Sequence, residues 1–133
     1  MSPSPKLVRD VMHRGVVACW SDELLIDVAQ RLCENDINAI VVLTESGQAE
    51  GVISQTDLAE VFVQEDWQHQ TANQIMTPDI TAVTGDTPLD IAIAIMLNRN
   101  IHRLLVIARE KQPIGVLSLS DIICQMARRE PDD

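Results

Sequence analysis

A repeat constrains this chain more than any other feature. Val11-Met12 recurs as Ile75-Met76, Asp22 as Asp86, Ile37 as Ile101, Val42 as Val106 and Gln48 as Gln112, always 64 residues apart. The run GVISQTDL, Gly51 to Leu58, returns as GVLSLSDI, Gly115 to Ile122, at the same offset and without an insertion. Turn glycines, capping residues and core aliphatics are what recur, as expected of a duplicated structural unit. The chain is read as a tandem duplication, residues 7–64 and 71–128, joined by a polar stretch over 64–71. A unit shorter than about 60 residues buries little surface alone, so the two are expected to share a core.

Both repeats follow one pattern: strand, helix, strand, strand, helix. Short β-type runs at Val16–Cys19 and Ile80–Val83 lead into helices over Asp22–Asn35 and Thr87–Asn100. Ser21 is placed to cap the first helix, and Pro88 suits the first turn of the second. Apolar strands follow at Ala39–Leu43 and Arg103–Ile107, then turns over 44–48 and 109–113. The last strands, Gly51–Ile53 and Gly115–Leu117, run into helices that start near Ser54 and Ser118.

With 10 basic and 20 acidic residues the net charge is −10, and the acid is spread over both repeats. A surface of that sign excludes a nucleic-acid binder and an anionic-membrane binder, since both need cations against phosphate. Trp20, Phe62 and Trp67 are the only aromatics, so stacking platforms for bases are nearly absent. Cys19, Cys33 and Cys124 form no CxxC pair and read as free thiols of a reducing compartment. The lead Met1–Leu7 has no apolar stretch of the signal-peptide kind, and the longest apolar runs are far too short to span a bilayer. A soluble, cytoplasmic protein is expected.

The repeated element is strand–Ser-x-x-Asp–helix, at Ser54/Asp57 and Ser118/Asp121. It has two readings, and they are compatible. As a capping box, Ser accepts from the third backbone N–H of the helix and the acid answers at the cap. As a binding element, the helix N-terminus attracts an anion while the carboxylate accepts hydroxyl hydrogens from a ribose. His102-Arg103, at the entry to the middle strand of the second repeat, adds two donors suited to phosphate, or else a solvated strand end. The first repeat has Asn38-Ala39 there and lacks both cations.

Val-Met-x-x-x-Val-Val near the start, the doubled Gly-Val-x-Ser-x-x-Asp and the unit length together resemble a pair of CBS domains, a Bateman module. The resemblance covers essentially the whole chain. HRLLVI…IGVLSLSDI of the second repeat is also similar to repeats of the regulatory gamma subunit of AMP-activated protein kinase. The resemblance implies an α+β fold of two β-α-β-β-α repeats packed with pseudo-twofold symmetry, with adenosine nucleotides in clefts between them. It implies that Asp121 holds the ribose hydroxyls, Ser118 lies by ribose or phosphate, His102 and Arg103 contact phosphate, and Ile80 and Ala82 face adenine. A weaker second cleft has Val17, Asn38, Ser54 and Asp57.

The function so implied is non-catalytic regulation by AMP, ADP or ATP, signalled through changed packing to a separate, unidentified protein partner. No cofactor is required. A ligand-free dimeric scaffold is the competing reading, and S-adenosylmethionine or NAD are further candidate ligands. No P-loop, Gly-x-Ser-x-Gly or paired Cys/His signature is present, so no catalytic residue is assigned. His13 and His69 lack partners at metal-ligand spacing, and Arg14 reads as a solvated loop residue. Ile91–Leu97 is apolar around its circumference, and residues 122–126 are similarly rich. Helices of that kind point to a second protein surface beside the core, and the resemblance implies a homodimer through them, with Ile93→Glu as its test.

Overall fold

A computed structural model describes residues 6–78 and 80–128; the first five residues of the lead read above lie outside the described part. The elements in chain order are α1 (Val8–Val11), β1 (His13–Arg14), β2 (Ala18–Trp20), α2 (Leu25–Asn35), β3 (Ala39–Leu43), β4 (Ala49–Ser54) and α3 (Gln55–Phe62). After a short 3-10 turn at Trp67–His69 come α4 (Ala72–Ile75), β5 (Ala82–Thr84), α5 (Leu89–Arg99), β6 (Arg103–Ile107), β7 (Pro113–Ser118) and α6 (Leu119–Ala127). Each repeat carries the expected β-α-β-β-α order. No helix among the described residues is long and apolar enough to cross a membrane.

The chain divides into two compact units, and the division does not follow the repeats. One unit joins residues up to Gly15 to Thr81–Arg109 and the segment from Pro113 onward; the other holds Val16–Ile80 with Glu110–Gln112. They are called the Arg103 unit and the Ser54 unit below. Each repeat thus sends its leading helix to the other repeat's unit. In the Arg103 unit, Val8 N–H donates to Thr87 O (2.9 Å), Arg9 N–H to Gly85 O (2.9 Å) and Leu89 N–H to Lys6 O (2.9 Å). In the Ser54 unit, Ala72 N–H donates to Glu23 O (2.8 Å), Asn73 N–H to Ser21 O (2.9 Å) and Leu25 N–H to Gln70 O (3.0 Å). The free N–H groups at the start of α1 and α4 are satisfied by these turns.

That exchange explains where the elements depart from expectation. Ser21 does not cap α2; its carbonyl is used by Asn73, and α2 starts after Leu24. Pro88 is the N-cap of α5. The first strand of each repeat begins two residues later than its apolar run, because pairing starts at Ala18 opposite Val41 and at Ala82 opposite Leu105. Val17 and Thr81 contribute only a carbonyl to the next strand, accepting from Val41 and Leu105 at 3.2 Å. The helices α2 and α5 both end on a left-handed residue, Asp36 and Asn100, types that tolerate this conformation.

Buried apolar side chains form two clusters, one in each unit. In the Ser54 unit Cys19, Leu25, Val28, Leu32, Ile40, Val42 and Ile53 gather, with Ala72 of α4 among them. In the Arg103 unit Val83, Ala92, Met96, Leu104, Val106 and Leu117 gather with Val8 and Met12 from the leading segment. The sheet order is β2-β3-β4 in the first and β1-β7-β6-β5 in the second. In both, a parallel pair is followed by an antiparallel one, with a register irregularity at matched positions, after Val42 and after Val106.

Candidate functional site

Register decides which side chains share a face. Leu104, Val106, Leu117 and Val83 point to the helices and are buried. Their neighbours therefore point to the other face of the sheet, because side chains alternate along a strand. Arg103 lies opposite Ser118, Leu105 opposite Val116, Ala82 beside Leu105, and His13 opposite Val116. Directly paired residues share a face, so Ala82, Arg103, Ser118 and His13 line one side of this sheet. Arg14, opposite Gly115, is exposed on the other side, in a strand rather than a loop.

At the β7–α6 junction both readings of Ser-x-x-Asp meet. Ser118 N–H donates to Asp121 Oδ2 (2.8 Å), and Asp121 N–H donates to Ser118 Oγ (3.1 Å), a complete capping box. The second carboxylate oxygen of Asp121 is 2.8 Å from His13 Nε2. The Asp121 side chain is 9% exposed, that of His13 80%. His102 fixes the junction through its carbonyl, which accepts from Leu119 N–H at 2.9 Å. The side chains of His102 and Arg103 are exposed and have no hydrogen-bond or ion-pair partner among the described residues. An unpaired guanidinium beside a cap hydroxyl and a helix N-terminus can take a phosphate; a carboxylate beside it can take hydroxyls.

Glycine 115 permits this arrangement. A Cβ there would meet the His13 carbonyl oxygen within contact distance, and Met12 Sδ at 3.2 Å. The bare backbone lets β1 lie against β7 and brings His13 to Asp121. Gly51 serves the same end in the Ser54 unit, where a Cβ would meet Met76 Sδ at 2.6 Å and Thr77 O at 2.9 Å. The repeated Val-Met and Gly-Val motifs are thus two halves of one contact, exchanged between repeats.

In the Ser54 unit the same frame carries other chemistry. Ser54 N–H and Oγ–H both donate to Asp57 Oδ2, at 2.9 and 3.0 Å. Ala39 stands opposite Ser54, and Thr77 opposite Val52, at the places of Arg103 and His13. The Asn38 side-chain carbonyl is taken by the Gln55 amide (3.0 Å). Val17 packs against the buried cluster of that unit. The structure brings Ala82, His102, Arg103, Ser118 and Asp121 together in the Arg103 unit; Ile80 is half-buried and is the last residue of the Ser54 segment. His13, read from sequence only as a failed metal ligand, joins that set. Only the matched Thr77 hinted at its place. Among the described residues no three His, Cys, Asp or Glu gather as a metal group.

Comparisons with known proteins fit this frame. A family model described as the CBS domain matches residues 8–64 and 72–128. The L-aspartate semialdehyde sulfurtransferase of Methanosarcina acetivorans is 22% identical over 92% of this chain, and that of Methanocaldococcus jannaschii 25% over 87%. The chain spans only 24% and 22% of those proteins. The CBS domain pair of protein MJ0100, solved with 5'-methylthioadenosine and S-adenosyl-L-methionine, superposes with a TM-score of 0.81 at 24% identity, covering 92% of this chain and 97% of that one. CBSX2 in complex with AMP gives 0.81 at 22% identity, covering 92% and 99%. The CBS domain of a bacterial CNNM/CorC family Mg2+ transporter with ATP gives 0.80 at 22%, covering 92% and 87%. At those identities the likeness shows the fold. With both repeats matched by the family model and both Gly-Val-x-Ser-x-x-Asp junctions built alike, this chain belongs to the CBS domain family.

Proposed function

We propose that the chain is a non-catalytic regulatory module whose Arg103 unit binds an adenosine nucleotide: AMP, ADP or ATP. The observation that carries this reading is Arg103, exposed, without a partner among the described residues and directly opposite Ser118, at the N-terminus of the helix that bears Asp121. On a chain of net charge −10 an anion needs such a local cationic cluster. Arg103 and His102 hold phosphate, Ser118 and the first N–H groups of α6 flank it, Asp121 accepts the ribose hydroxyls, and Ala82 offers apolar contact to adenine. Solved relatives with AMP, ATP or S-adenosyl-L-methionine support the ligand class. The ligand acts by differential affinity for two conformations, which sets the limit of the shift.

A specific observation favours a second ligand class in the other unit. Ser54 and Asp57 repeat the junction, but Ala39, Asn38 and Thr77 supply no cation. That site suits an adenosyl compound without phosphate, such as S-adenosylmethionine. A homodimer completes the proposal. Ile91 and Leu97 of α5 and Ile123 and Met126 of α6 stay exposed, in contrast to Ile93, which packs on the buried cluster. Ile93→Glu therefore damages the core and does not test the dimer; Leu97→Glu does.

Thermal unfolding with added ligand is the test. AMP at about 100 times its dissociation constant adds roughly 2.7 kcal/mol, several degrees for a domain of this size. The rise is expected with AMP or ATP and lost in Arg103→Ala. No rise with any adenosine nucleotide, S-adenosylmethionine or NAD at millimolar concentration replaces this reading with a ligand-free scaffold.

A further inference from the structure

We propose that His13 is a built-in competitor for Asp121, so that the Arg103 unit accepts a ribose diol only as the imidazole leaves. The inference rests on the nucleotide reading above and concerns how that site is controlled. Asp121 has two oxygens. Oδ2 is committed to the cap by Ser118 N–H at 2.8 Å, and Oδ1 faces His13 Nε2 at 2.8 Å. Each carboxylate oxygen can accept more than one hydrogen, but the Asp121 side chain is 9% exposed and the imidazole lies against Oδ1, so a diol that reaches this oxygen enters where the ring now sits; giving up the cap on Oδ2 instead would leave the start of α6 unsatisfied. The imidazole is the partner that gives way. It is 80% exposed, so it leaves into water without losing burial. It is carried on a two-residue strand whose backbone stays paired with β7 while the ring turns.

The Ser54 unit provides the internal control. Thr77 has the same backbone seat, exchanging N–H···O bonds with Val52 at 2.9 and 3.0 Å. Its side chain does not reach Asp57, whose Oδ1 has no partner among the described residues. One duplicated junction is therefore closed by a side chain and the other is open, and the difference is one residue, His13 against Thr77. Arg103 shares the sheet face with His13 and stays in place for the phosphate in either state.

The experiment is a double-mutant cycle read by calorimetric titration with AMP on the full chain: wild type, His13→Thr, Asp121→Asn and both together. Because the contact is solvent-exposed, His13→Thr is expected to bind AMP roughly threefold to fivefold more tightly. In the Asp121→Asn background the same replacement is expected to change nothing, since the competition runs through that carboxylate. Equal or weaker binding in His13→Thr, with wild type still binding, overturns the competitor and leaves the nucleotide reading standing. A gain that persists in the double variant also overturns it. Absence of binding in both wild type and His13→Thr overturns both readings, and binding only in His13→Thr supports the competitor in its strongest form.

Discussion

The Arg103 unit and the Ser54 unit share a backbone and differ in what they present. Both have a parallel–antiparallel sheet, a helix ending on a left-handed residue and a capped Ser-x-x-Asp helix. On the sheet face, Arg103 and His13 stand where the other unit has Ala39 and Thr77. On the helix exterior, α5 exposes Ile91 and Leu97, and the matched positions of α2 are Asp27 and Cys33. The Ser54 unit holds its first turn with an ion pair, Arg31 to Glu23 at 2.9 Å, with Arg31 also donating to Ala18 O at 2.8 Å; the matched residues Ile95 and Thr87 cannot do this. Duplication kept what folds the unit and released exposed positions of the sheet face and the helix exterior.

The largest expected effects break the part the units have in common. Gly115→Ala puts a methyl against the His13 backbone carbonyl, and Gly51→Ala puts one against Met76 Sδ and Thr77 O at 2.6 and 2.9 Å. Both are expected to lower stability by about 1–3 kcal/mol in chemical denaturation, the cost of overpacking, and Gly115→Ala by more, because its nearest contact is backbone whereas the nearest to Gly51 is the flexible Met76 side chain. Equal stability of both variants with wild type would remove the exchanged contact from the account.

The next effects sharpen what differs. Arg103→Ala is expected to weaken AMP binding at least tenfold, the scale of one charge-assisted bond to phosphate. Ala39→Arg places a guanidinium opposite Ser54 and is expected to raise the AMP stoichiometry measured by calorimetry; an unchanged stoichiometry would mean that the cation is not what separates the units. Leu97→Glu, at a side chain 66% exposed, is expected to halve the mass seen by light scattering, and Cys33→Glu at the matched position to leave it alone. The smallest effect is chemical. Burial, with Glu23 adding to it, pushes the Cys19 thiol up to about 11, so at pH 8 Cys33 and Cys124 alkylate in the native protein and Cys19 only after unfolding.

Elements whose signal is local were legible in the sequence. The strands Ala39–Leu43 and Arg103–Ile107 are apolar runs bounded by polar turns, and both capped helices are announced by Ser-x-x-Asp. His102 and Arg103, the proposed phosphate contacts, stand out because the repeat shows what the other copy lacks. The exchange of leading segments was not legible. Leu7–Asp10 belongs in sequence to the first repeat, yet Val8 is buried with Met96 and Leu104 of the second. Everything that depends on that exchange was hidden with it: the uncapped Ser21, the displaced helix starts, the reason for Gly115, and His13 beside Asp121.

One titration tests the central claim most directly: calorimetry of AMP into the wild-type chain, Arg103→Ala and Arg14→Ala. Both variants remove one positive charge from the same unit, but Arg14 stands on the opposite side of the sheet. The account predicts binding in wild type and Arg14→Ala and its loss in Arg103→Ala. Binding that survives in Arg103→Ala, or falls equally in both variants, would contradict it.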